Sequence, residues 1–141
     1  MAEPRILLIV PTLGQRIDYL AETLASIRSQ SVPADIVLVA PPQNPDLDRL
    51  VTDHQAAFLP DPGSLTGAIN LGMSALKDSH DYVNWLNDDD RLTPGSLQAT
   101  SSALDRDPGA TVAFGACRYI DGGGSELWIS RAGKWAPRVL G

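Results

Sequence analysis

Hydrophobic positions along the chain follow two rhythms. Arg5-Ile-Leu-Leu-Ile-Val10 and Asp35-Ile-Val-Leu-Val39 are short aliphatic runs, the pattern of strands buried on both faces of a parallel sheet. Between them, from Asp18 to Gln30, Leu20, Leu24 and Ile27 recur at helical spacing with polar residues between, which predicts an amphipathic helix. The alternation then repeats. Ala40-Pro-Pro-Gln-Asn-Pro45 cannot extend a strand ladder, because proline lacks the donor. Asp46 to His54 reads as a short helix with Leu47, Leu50 and Val51 on one face, and Ala57 to Leu59 as a weak third strand. After the Asp61-Pro-Gly63 turn, Leu65, Ala68, Ile69, Gly72, Met73 and Leu76 mark the clearest amphipathic helix, and Tyr82 to Leu86 a fourth strand. Thr93-Pro94 predicts a helix start, with Thr as cap and Pro at the first helical position, running to about Leu104. Thr111 to Cys117 reads as a fifth strand; Leu127 to Ile129, beyond the Asp121-Gly-Gly-Gly124 turn, reads as a sixth.

Strands alternating with helices imply crossover connections, hence an α/β fold with a mostly parallel sheet between two helical layers. Ligands of such sheets collect outside the carboxyl ends of the strands. Two segments fall there: the Pro11–Arg16 loop and the acidic Asn87-Asp-Asp-Asp90 loop.

Composition narrows the function classes. A chain of 141 residues with 43% apolar and 20% charged residues suits one globular domain with its own core. A net charge of −6 argues against general nucleic-acid binding, which needs a basic face. The single Cys117 excludes an internal disulfide and points to a reducing compartment. The longest aliphatic run, Ile6 to Val10, is far too short to span a bilayer or to serve as the core of a signal peptide. The expected setting is therefore cytoplasmic, without a transmembrane segment. Cys117 is expected to be a small buried hydrophobe and Trp85 a core residue anchoring the acidic loop together with Leu86; His54 and His80 are expected at the surface, without partners at ligand spacing.

Three consecutive carboxylates at a strand end repel one another, and a divalent cation removes that strain. Hard oxygen ligands suit Mg²⁺ or Mn²⁺, which take one or two protein carboxylates and complete their shell with water and phosphate oxygens. A cation held in this way neutralises charge on a departing diphosphate. The plainer alternative is a solvated acidic turn whose charges favour the positive end of the following helix. An EF-hand is a poor alternative, since its fixed glycine and terminal glutamate are missing. Neither a Walker loop nor G-x-G-x-x-G is present, and Val10-Pro-Thr-Leu-Gly14 lacks the nucleophilic aspartate of a phosphatase.

Three segments in order, Ile6-Leu-Leu-Ile-Val-Pro-Thr-Leu13, Leu65-Thr-Gly-Ala-Ile-Asn-Leu-Gly72 and Val83-Asn-Trp-Leu-Asn-Asp-Asp-Asp-Arg-Leu-Thr-Pro-Gly95, resemble the amino-terminal, nucleotide-sugar-binding half of a family 2 glycosyltransferase. The resemblance implies a Rossmann-like nucleotide-diphospho-sugar transferase (GT-A) fold, here truncated, with residues 1–121 as the donor-binding domain and residues 122–141 as the incomplete start of an acceptor side. It implies Mg²⁺ or Mn²⁺ as cofactor, with Asp89 as the metal-binding aspartate of the motif and Asp88 toward the ribose or the metal's water shell. Pro11, Thr12 and Leu13 match the loop along the nucleotide base. Because the family's leading aspartate is Asn87 here, a D-x-D reading falls on either Asn87–Asp89 or Asp88–Asp90.

The match also has gaps. Where the family carries a base-contacting carboxylate after the second strand, this chain has Ala40-Pro-Pro-Gln-Asn44, so neither base nor sugar is named; Gln43 and Asn44 are the amides nearby. An arginine preceding the helix asparagine is Ile69 here, and Asn70 is read as a helix-to-loop hydrogen bond. Arg16 is within reach of phosphates but reads first as a solvated side chain. The acceptor-activating carboxylate of inverting members is expected beyond Gly141, and Asp121 and Glu126 read as solvated. The tail from Trp128 to Trp135 mixes aromatic and basic groups and reads as an unfinished edge, which leaves a homodimer open. The acceptor class is open as well. Two rivals remain: a non-catalytic nucleotide-sugar-binding or regulatory domain of the same fold, and a nucleotidyltransferase, although the latter needs a glycine- and lysine/arginine-rich loop after the first strand that Pro11–Arg16 does not supply.

Overall fold

The computed structural model describes residues 3–131. The elements run β1 (Ile6–Pro11), α1 (Ile17–Arg28), β2 (Ala34–Ala40), α2 (Pro45–Asp53), β3 (Ala57–Pro60), α3 (Leu65–Leu76), β4 (Tyr82–Trp85), α4 (Ser96–Arg106), β5 (Cys117–Ile120) and β6 (Glu126–Ser130). The chain divides between Gln98 and Ala99 into two compact units.

In the first unit four parallel strands pair in the order β3-β2-β1-β4. Residues Leu7 to Val10 of β1 have no solvent exposure, because neighbours pair on both edges and helices cover both faces. Strand alternation sends their side chains two ways. Leu8 and Val10 join Leu20, Leu24, Ile27, Leu38 and Leu47 under α1 and α2. Leu7 and Ile9 join Val37, Val39 and Ala68 under α3. Handedness explains the partition: right-handed crossovers running from β1 through β2 to β3 put α1 and α2 on one face, and the return across β1 to β4 puts α3 on the other. The three-layer α/β/α class follows.

Two helices start at side-chain caps. Asn44 caps α2, its side chain accepting from the Asp46 and Leu47 amides, with Pro45 in the first turn. Ser64 caps α3 by accepting from the Gly67 amide. Helix α4 departs from expectation. It starts at Ser96 instead of Pro94, because Gly95 takes a φ of +81° that no helix continues through. The buried Gln30 side chain spans the end of α1 and this turn, donating to the Ser26 and Thr93 carbonyls and accepting from the Leu97 amide at 3.2 Å.

Three residues sit otherwise than their sequence suggested. Trp85 is 39% exposed, since among the described residues β4 pairs on one edge only, with β1; of the two, Leu86 packs against the core. The His80 side chain is only 5% exposed, with Nε2 2.8 Å from Asp35 Oδ2 and Nδ1 2.8 Å from the Leu76 carbonyl. Cys117 is exposed at the start of β5.

In the second unit β5 and β6 form a separate antiparallel ribbon. The fifth strand starts at Cys117 instead of Thr111. Val112 and Phe114 lie exposed in irregular chain with no ladder partner. The ribbon turn is built on Asp121, whose Oδ1 accepts from the Gly123 and Ser125 amides. Tyr119 stacks flat on its cross-strand partner Trp128, ring centroids 4.0 Å apart, and Arg118 pairs with Glu126. Residues Ala132 to Trp135 of the tail lie outside the described residues. Among the described residues no helix is long and apolar enough to cross a membrane.

Gly72 lets α3 lie against β1: a Cβ there would stand 2.7 Å from Ile9 Cγ2, and Ile9 has no exposure through which to yield. Alanine gains up to ~1 kcal/mol in helix propensity, but overpacking costs about 1–3 kcal/mol. Gly72→Ala is therefore expected to lower the urea unfolding midpoint with an unchanged m-value.

Candidate active site

The chain reverses its direction of travel across the sheet between β1 and β4, which places the loops leaving these two strands side by side at the switch point of the sheet. The β1 loop is fixed first. The Thr12 amide donates to the Val39 carbonyl at 3.0 Å, continuing the ladder past Pro11, and Gly14 then turns with φ +72°. A side chain at Gly14 would press on Asn44 and Leu47. The Thr12 hydroxyl, in a residue 7% exposed, accepts from the Gly14 amide at 3.0 Å and donates to Asp88 Oδ2 at 2.6 Å.

The acidic loop is held from its own strand and from α1. The Leu86 amide donates to the Ile9 carbonyl at 2.9 Å, extending the β1–β4 register beyond Trp85. Asn87 to Asp90 then form a turn in which the Asp90 amide donates to the Asn87 carbonyl and Asn87 Nδ2 donates to Asp90 Oδ2 at 3.0 Å. From α1, the buried Thr23 hydroxyl donates to the Asp90 carbonyl at 2.7 Å, and Ser26 Oγ accepts from the Leu92 amide. The outer residues of the loop close it, while the inner two present their carboxylates.

Those two carboxylates share one cation. Arg16 reaches Asp89 Oδ2 with one guanidinium nitrogen at 2.9 Å and Asp88 Oδ1 with the other at 3.2 Å. Asp88 is the better buried, with 15% of its side chain exposed against 40% for Asp89. Asp89, then Asp88, raises Arg16 above its ordinary value, so Arg16 stays cationic throughout any working pH range.

A cleft of about 360 Å³ adjoins this cluster. Pro11, Thr12, Leu13, Arg16, Asn87 and Asp88 line it, together with Val39, Asp61 and the approach to α3 from Gly63 to Leu65. All four residues expected to bind a donor, Pro11, Thr12, Leu13 and Asp88, thus face one cavity, and Asp89 stands beside Asp88 in the shared Arg16 pairing. Other expectations are not met at the cleft. Asn70 is exposed on α3, and no loop hydrogen bond holds it among the described residues; the Asn44 side chain is engaged as a cap. Two residues at the cleft sit otherwise than the sequence reading had them. Arg16, read first as a solvated side chain, is paired with Asp88 and Asp89, because its loop and the acidic loop share one sheet end. Asp61 supplies a carboxylate at the end of β3 where the segment after β2 has none, its Oδ1 accepting from the Gly63 amide.

The residues present fit a hard divalent cation. Two adjacent, partly exposed carboxylates, one of them lining a cleft, are the usual protein share of a Mg²⁺ or Mn²⁺ site, the remainder being water and phosphate oxygens. Among the described residues no three acidic, histidine or cysteine side chains converge into a cage of their own.

A parallel sheet with a cleft and an acidic loop at its switch point, between two helical layers, defines a Rossmann-like α/β domain of the GT-A transferase type. The chain belongs to glycosyl transferase family 2: the family model matches residues 7–139. Among solved structures it is similar to the mannosyltransferase PcManGT from Pyrobaculum calidifontis in complex with GDP-Man and Mn²⁺, at 21% identity and a TM-score of 0.60 over 86% of this chain and 36% of that one. It is also similar to S. aureus TarS 1-349, at 18% identity and a TM-score of 0.58 over 72% of this chain and 32% of that one; TarS is also solved with UDP-GlcNAc. CMP:2-keto-3-deoxy-manno-octonic acid synthetase complexed with CTP shares the fold at 12% identity and a TM-score of 0.60 over 90% of this chain and 64% of that one. The chain spans about a third of the length of the two transferases. Among curated proteins none matches it.

The Thr12 hydroxyl fixes a carboxylate that is mostly buried. Thr12→Val keeps the shape and removes that donor, with an expected cost of about 1–3 kcal/mol in urea unfolding. Leu13→Ala, at a 60% exposed position on the same loop, is expected to change stability by less than about 0.5 kcal/mol.

Proposed function

We propose that the chain forms the donor-binding half of a metal-assisted glycosyltransferase, which takes a sugar from a nucleotide-diphospho-sugar and passes it to an acceptor hydroxyl with inversion. The observation that supports this most directly is the placement of Asp88 and Asp89 at the carboxyl end of β4, one lining the cleft, both bridged by Arg16 and one fixed by Thr12. Family membership supplies the reaction class. The nucleotide sugars in the PcManGT and TarS structures suggest the kind of donor.

On this reading the cleft takes the nucleoside against Pro11, Thr12 and Leu13, with Asp61, which also lines it, as acceptor for a base N–H. Asp88 and Asp89 would hold Mg²⁺ or Mn²⁺, which supplies Lewis-acid neutralisation of the departing diphosphate. The chain's own share is preorganisation. The Thr12 hydrogen bond, the Asn87–Asp90 closure and the Thr23 tether fix the carboxylates beforehand, so no reordering is needed as the leaving group gains charge. The group that deprotonates the acceptor is, on this reading, supplied from outside the described residues. Asp121 closes its own turn and Glu126 pairs with Arg118.

The test is calorimetric titration of UDP-GlcNAc and GDP-Man, with Mn²⁺ present, into the wild type and Asp89→Ala. Binding by the wild type that needs Mn²⁺ and weakens at least tenfold in the variant is the expected outcome. Equal, metal-independent binding by both proteins would overturn the proposal.

A further inference from the structure

Arg16 occupies a peculiar position. Its guanidinium is divided between two carboxylates of neighbouring residues, at 2.9 Å and 3.2 Å, while half of its side chain stays in solvent and also lines the cleft. Apart from these two pairs, the guanidinium's only other neighbour among the described residues is Tyr19, whose ring centre is 6.0 Å from Arg16 Cζ, the outer limit of a cation–π contact. It is thus held by exchangeable partners and has room to move.

Charge arithmetic decides what happens when a divalent cation enters. Asp88 and Asp89 carry two negative charges, and Arg16 returns one positive. A cation coordinated by the same oxygens contributes two positive charges and removes the attraction that holds the guanidinium there. A diphosphate reaching that cation brings fresh negative oxygens to the rim that Arg16 already lines. Guanidinium binds phosphate through the same fork geometry it uses for carboxylate.

We propose that Arg16 is a positioning residue that exchanges partners. It competes with the divalent cation for Asp88 and Asp89, and once displaced it clamps the donor's diphosphate, so that cation and nucleotide bind cooperatively and neither binds well alone. The inference rests on the metal-assisted reading of the site and deepens it. No bond is made or broken; the step is a swap of ion pairs.

The two halves of this exchange move binding in opposite directions, and a merely structural role for Arg16 would not. The experiment titrates Mn²⁺ alone into the full chain, followed by electron paramagnetic resonance. GDP and UDP are then titrated at saturating Mn²⁺, using wild type, Arg16→Gln and Arg16→Lys. Exposed ion pairs are individually weak, so Arg16→Gln is expected to bind Mn²⁺ alone about three- to tenfold more tightly. It should bind the nucleoside diphosphate at least tenfold more weakly, losing most of the coupling between the two ligands. Arg16→Lys, which keeps the charge but not the fork, is expected between the two. Unchanged or weaker Mn²⁺ binding by Arg16→Gln, with the wild type still binding Mn²⁺ through Asp89, overturns the exchange and leaves the metal site standing. Mn²⁺ binding by neither wild type nor variants, with or without nucleotide, overturns the metal-assisted reading and the exchange with it.

Discussion

The whole arrangement depends on β1 being buried on every side. Four successive side chains, Leu7 to Val10, are sealed off from solvent, two toward each helical layer. Each such side chain removed from water contributes roughly 1.5–3 kcal/mol, and the paired stretch Ile36 to Val39 is sealed almost as completely. Because the strand is central, its carboxyl end is also the point from which the sheet grows in both directions. The residues that leave it, Pro11 and Thr12, therefore emerge at a crevice that the topology creates without any help from the loops. The hydrophobic core and the candidate active site are consequences of the same strand.

Electrostatics then sorts the acidic loop. Three carboxylates in sequence would be unfavourable if they shared one environment. The fold separates them: Asp90 bonds back to Asn87, Asp88 takes the Thr12 hydroxyl, and Asp88 and Asp89 divide Arg16. This also settles how the loop is arranged in space. Asp90 serves closure, so the pair offered to the cleft and its rim is Asp88 with Asp89.

Much of this was legible beforehand, for identifiable reasons. The aliphatic runs of β1 and β2 have the pattern of doubly buried strands, and Leu20, Leu24 and Ile27 the spacing of one helix face, so the order of elements through β4 stood in the pattern. The cleft loop and Asp88 were legible because strand ends in a parallel sheet converge by topology. What escaped was set by partners distant in sequence. Trp85 looks like core until β4 is known to be paired on one edge only, and His80 looks superficial until Asp35, 45 residues away, is seen against it. Arg16 meets its carboxylates across more than 70 residues. The fifth strand was placed too early because Val112 and Phe114 carry the composition of a strand without a ladder to join.

The closure of the acidic loop sets a limit on how this segment can vary. Asn87 and Asp90 form a side-chain latch over a backbone turn of fixed length, tethered behind by Thr23. The latch works as a ruler. One residue more or fewer between its ends would break the turn's hydrogen bond and rotate both presented acids off the crevice, even if every side chain were kept. On the proposed reading, identity at the inner two positions would carry the chemistry, whereas the spacing of the outer two carries its aim.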